Sequence, residues 1–151
     1  MPELALDPDE CEIALSETRA VLEAATSPEY REKLTALETA LEQGSLEEEH
    51  AERLEPIIEL ALQAGRARAV YGPPGEQAAL KLYRRLPRGA ALAQSAREVS
   101  RALETLNGRR LEGTTLTATG PGAYTLSIAT EDAHISVRLD RQGARLATVE
   151  V

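Results

Sequence analysis

The sequence predicts an α+β fold: an N-terminal helical hairpin or bundle, about five helices in all, followed by a four-stranded antiparallel β-meander. Three observations carry this. Apolar residues recur at helical spacing up to about residue 106 and alternate singly from about residue 111. The punctuation changes with them, from Pro starts and Gly or Asn stops to tight Gly-containing hairpin turns. At 151 residues the chain suits one domain with a real core, read here as 1–151. Within it lie an acidic helical arm (1–65), a basic helical segment (66–110) and the meander (111–151).

Asp7-Pro8-Asp9-Glu10 opens the first helix with a capping Asp, Pro at the first helical position and Glu at the third. Its stripe reads Cys11, Ala14, Leu15, Thr18, Leu22 and Ala25, with the acids mainly off it. Ser27-Pro28 restarts the chain, Tyr30, Leu34, Leu37 and Leu41 define the second stripe, and Gly44 stops it. Ser45 with Glu48 reads as a capping box for the third helix, whose stripe is Leu46, His50, Leu54, Ile57, Ile58, Ala61 and Leu62. Pro56 inside that helix predicts a kink or a break.

Tyr71-Gly72-Pro73-Pro74-Gly75 reads as a stiff loop opening a helix at about Glu76, with Leu80, Tyr83 and Leu86 inward and Pro87-Arg88-Gly89 ending it. A helix from about Ala90 buries Leu92, Ala96, Val99, Leu103 and Leu106 and stops at Asn107-Gly108. Strands follow at about 111–119, 123–130, 134–140 and 144–151, turning at Gly120-Pro121-Gly122, Glu131-Asp132 and Arg141-Gln142-Gly143. One face of this meander should be apolar and packed on the helix ending at Leu106.

Charge is split along the chain. Residues 1–64 hold 17 Asp/Glu against 4 Lys/Arg, while residues 66–110 hold 10 Lys/Arg against 3 acids. Such segregation bears on partners and assembly rather than on fold. The lone cysteine, Cys11, allows no intrachain disulfide and no thiolate zinc cluster, and its acidic neighbours disfavour a thiolate. No signal peptide or membrane-length apolar run is present, so a cytoplasmic chain without a membrane partner is expected.

Glu47-x-x-His50 has the spacing of a di-iron bundle motif, but such a site needs two of these pairs and two more carboxylates. The Glu47-Glu48-Glu49 run suits the positive end of a helix dipole. The Gly72–Gly75 loop places two prolines where a phosphate cradle needs N–H donors, and no Lys-Ser/Thr follows. No Ser-His-Asp set is visible and no cofactor is expected.

The leading expectation is therefore a non-enzymatic protein-interaction module, docking on a protein partner or on itself through charge-complementary helical surfaces. Arg84, Arg85, Arg88, Arg97 and Arg101 are the candidates on the basic side; Glu47, Glu48, Glu49 and Glu52 are those on the acidic side. An alternative is a nucleic-acid-binding regulator using segment 66–110. Its element order resembles a winged helix, with 90–106 as recognition helix and 116–124 as wing. A net charge of −8 disfavours that reading. A small metal- or carboxylate-dependent enzyme stands third.

Overall fold

The computed structural model describes residues 3–151 and is α+β, with five helices ahead of a four-stranded antiparallel sheet and a separate two-stranded ribbon. Contacts divide the chain into two compact units, Met1–Ala90 and Ala91–Val151.

In the helical unit, β1 (Leu4–Ala5) precedes α1 (Pro8–Ala24). The predicted capping box forms: the Asp7 carboxylate accepts from the Glu10 N–H, and the Glu10 carboxylate accepts from the Asp7 N–H. α2 (Pro28–Glu42) is capped by Ser27 and buries Leu34, Leu37 and Leu41. Arg31 donates to the carbonyls of Leu22 and Ala25, placing a cation on the open end of α1.

Ser45 does not cap the third helix. Ser45–Leu46 forms β2, pairing antiparallel with β1 in the register Leu4↔Leu46, and Leu46 is fully buried. α3 (Glu48–Gln63) therefore starts later, with Glu47 at its N-cap. Pro56 neither breaks nor divides α3. It lies on the exposed side of the helix, where its ring meets no packed neighbour helix among the described residues.

α4 (Arg66–Tyr83) contains the expected punctuation in a different form. Gly72 takes φ 76° and ψ 179°, conformations closed to side-chain-bearing residues, and helical turns resume at once on Pro73 and Pro74. Residues 66–71, ahead of that glycine, are helical, so Tyr71 belongs to a helical turn and not to the expected loop. α5 (Pro87–Glu104) likewise begins at Pro87 rather than at Ala90. Leu34, Leu37, Leu41, Leu54, Ile58, Leu82 and Leu86 make the core of this unit.

In the sheet unit, β3 (Leu111–Gly120), β4 (Ala123–Thr130), β5 (His134–Asp140) and β6 (Gly143–Glu150) pair in sequence order, so β3 and β6 are the edges. One face carries the rows Leu116–Leu126–Val137–Leu146 and Thr114–Ile128–Ile135–Val149. As expected, a helix covers it: Val99, Ala102, Leu103 and Leu106 of the α5 segment pack with Leu126, Ile128, Ile135 and Val137. The other face carries the hydroxyl row Thr115–Ser127–Ser136–Thr148, with the Ser127 and Ser136 oxygens 3.1 Å apart.

Candidate functional site

The unit boundary after Ala90 redraws the charge map. Met1–Ala90 holds 18 acids against 10 bases and so carries the whole net −8, while Ala91–Val151 holds seven of each. The basic middle segment thus falls partly in each unit, and its first part faces the acidic helices directly.

The side of α1 that is buried lies one residue earlier than the predicted stripe. It comprises Glu10, Ile13, Ala14, Glu17 and Thr18, so two carboxylates point inward. Each meets a cation. Arg85 Nη1 lies 2.5 Å from Glu10 Oε1, and its Nη2 donates to the Ala5 carbonyl. Lys81 Nζ lies 2.7 Å from Asp7 Oδ2, and that ammonium, with the Glu10 N–H, holds the Asp7 carboxyl down at about 2.

One helical turn pair further on, Arg66 Nε donates to both oxygens of Glu17 at 2.9 and 3.1 Å. The Tyr71 hydroxyl lies 2.7 Å from Glu17 Oε1 and 2.6 Å from Ser16 Oγ. One phenolic hydrogen serves one acceptor, so Tyr71 donates to the carboxylate while Ser16 donates to Tyr71. Burial, then the Glu17 carboxylate, pushes the Tyr71 phenol up. A third buried carboxylate, Glu55 on α3, accepts the N–H groups of Arg88 (2.7 Å) and Gly89 (3.0 Å) at the start of α5. A side chain thereby satisfies the open N-terminal donors of that helix.

The residues singled out on the basic side consequently have different roles. Arg85 is committed to Glu10. The Arg88 guanidinium stands 3.7 Å from Glu59. Arg84 is exposed and has no ion pair among the described residues. In the other unit, exposed Arg97 donates to Gln94 at 2.8 and 3.2 Å, and neither it nor exposed Arg101 has an ion pair among the described residues.

On the acidic side, Glu47, Glu48, Glu49 and Glu52 are all exposed at the start of α3. Glu47 makes no side-chain capping bond, and Glu49 pairs with Arg53 at 3.5 Å. His50 is half-buried, and its Nδ1 has no hydrogen-bond partner among the described residues. Among the described residues, no group of three His, Cys, Asp or Glu side chains gathers as a metal site.

The structure joins Glu17 with Arg66 and Tyr71, Glu10 with Arg85, and Glu55 with the start of α5; of these only Arg85 was a candidate from the sequence. The available signal was the spacing of Glu10 and Glu17, seven residues apart on either side of Ile13 and Ala14. Cys11 lines an open groove of about 870 Å³ along α1 with Leu15, Ser16, Arg19 and Arg66. Burial, and then Glu10 and Asp7, pushes its thiol up, away from a nucleophilic thiolate.

The hairpin expected as a wing turns at Gly120–Ala123 but belongs to a full four-stranded sheet. The expected recognition helix buries Val99 and Leu106 against that sheet. Among the described residues, no helix is long and apolar enough to cross a membrane. No family model, curated protein or solved structure matches this chain.

Proposed function

We propose that the chain is a non-enzymatic protein-interaction module, serving as an adaptor, assembly factor or regulatory subunit, whose helical unit docks on a cationic protein surface. One observation carries the reading: the helical unit holds the entire net −8, with Arg66, Lys81 and Arg85 already paired to Glu17, Asp7 and Glu10. The acids Glu47, Glu49 and Glu52 beside Glu48 present an exposed acidic face at one end of α3, with Arg53 as the cation 3.5 Å from Glu49. Charge of one sign on a helix face steers a partner of opposite sign and fixes its orientation more than it sets affinity. Of the candidate arginines, Arg84, Arg97 and Arg101 are exposed and open to an acidic partner.

The test is affinity capture from native extract at low and at moderate salt, read by mass spectrometry. Proteins captured by the wild-type chain at low salt are expected to be lost from the variant Glu47→Gln/Glu49→Gln/Glu52→Gln. The same set on both baits at both salt concentrations would overturn the acidic-face reading.

A further inference from the structure

The two edges of the sheet are built differently. β6 carries Arg145 and Glu150, and its pairing with β5 is interrupted by a bulge between Ser136 and Val137. Charges and bulges of this kind stop an edge from recruiting another strand. β3 has neither along its middle. Its register runs unbroken from Gly113 to Ala118, with irregularities only beyond those residues. No charged residue occurs from 113 to 130, in a chain of which 28% is charged. Every residue of β3 is exposed, and Leu116, at the centre of the strand, is 63% exposed.

A neutral edge with an open row of N–H and C=O groups selects a strand as its partner. Its own sequence identifies which strand. In antiparallel pairing about a two-fold axis, each residue meets either its own copy or the residue at equal distance across the axis. A charge on the axis would then oppose its own copy, and β3 carries no charge between Gly113 and Gly120. The register that sets Leu116 against Leu116 of the second copy also sets Thr114 against Ala118 and Thr115 against Thr117. Apolar and hydroxyl rows each continue across such a junction. The sheet unit, with seven acids and seven bases, brings no net charge to the encounter.

We infer that two copies of this chain associate through antiparallel pairing of their β3 edges, with Leu116 on the two-fold axis, joining two four-stranded sheets into one. This goes beyond the acidic-face reading and uses a different surface. An interface of one strand pair is small, so the dimer dissociates on dilution. Salt does not dissociate it, because the contact is uncharged and the net −8 of each chain is screened.

The experiment is light scattering or sedimentation of the full chain over a concentration series, at low and high salt. The mass is expected to rise from the monomer value of 16.3 kDa towards twice that value with concentration. Leu116→Lys and Leu116→Glu, each checked for folding by circular dichroism, are expected to stay monomeric, because each sets like charges opposite each other. Mixing them is expected to restore a dimer, seen as the heterodimer by native mass spectrometry. Leu116→Thr, neutral and well suited to a strand, is expected to weaken the dimer without unfolding the sheet.

A wild-type mass that stays monomeric at every concentration would overturn the inference. So would dimers of both charged variants, or a mixture that stays monomeric. Hydrogen exchange adds an independent reading: β3 amides should gain protection with concentration, and a gain confined to β6 counts against the pairing. Glu47→Gln/Glu49→Gln/Glu52→Gln leaves β3 untouched, so loss of partner capture and loss of the dimer are separable failures.

Discussion

In the helical unit Glu10, Glu17 and Glu55 are buried, and each meets a donor from a distant part of the chain. In the sheet unit the ion pairs Arg109–Asp132, Arg138–Asp140 and Arg145–Asp140 all lie at the surface. The difference follows from backbone chemistry. Strands are aligned by their ladders, which fix register without help from side chains. Helices satisfy their hydrogen bonds internally, so nothing in the backbone sets α1 against α4. Inward carboxylates with one matching cation each can set that alignment, at the cost of desolvation.

Four experiments break or sharpen this contrast. The largest effect is expected at Gly89, where the N–H capped by Glu55 lies beside α4. A Cβ there would lie 1.8 Å from the Tyr83 carbonyl oxygen. Gly89→Ala should therefore destabilise the helical unit by about 3 kcal/mol or more, read by denaturant unfolding of the helical signal. A change below about 1 kcal/mol would mean that this junction yields easily.

Next, Arg85→Met leaves the Glu10 carboxylate buried without its cation. The expected loss is about 2 kcal/mol, below the figure for a fully buried pair because Arg85 is 35% exposed. Its counterpart in the sheet is Arg145→Met, where the pair with Asp140 is surface-exposed and the expected loss is about 0.5 kcal/mol. Unit-resolved hydrogen exchange compares the two, and equal losses would erase the contrast.

The smallest effect is expected from acid. Lys81 and the Glu10 N–H hold the Asp7 carboxyl at about 2 against its usual 3.8. Because the folded value is the lower one, the stabilisation is present above pH 3.8 and disappears as the pH falls from there through 2. Asp7→Asn should keep the helix cap but flatten the acid limb of the thermal midpoint in that window. An acid limb identical to that of the wild type would place the sensitivity elsewhere.

The order and type of the elements were legible because each carries its own local signal. Asp7-Pro8 and Ser27-Pro28 announce helix starts, and Tyr124-Leu126-Ile128 announces a strand, without reference to the rest of the chain. The first misreadings were tertiary. Ser45 has the residue type of a cap, but the distant Leu4–Ala5 segment takes its backbone into a ribbon. Glu10 and Glu17 look like surface acids until Arg85 and Arg66 arrive from α4 and the turn that follows it. Of the candidate site, the acidic face of α3 was legible as composition. The commitment of Arg85 was not, because it depends on how helices some 75 residues apart meet.

The Tyr71–Glu17 contact also makes the helical unit optically readable. The chain has four tyrosines and no tryptophan, and burial raises the phenols of Tyr71 and Tyr83 above the usual 10. Because those folded values lie above the unfolded one, the stabilisation they carry is complete below pH 10 and is lost as the pH climbs through them. An alkaline titration followed by phenolate absorbance would therefore show late-ionising tyrosines, and their early appearance would report opening of the helices around Glu17.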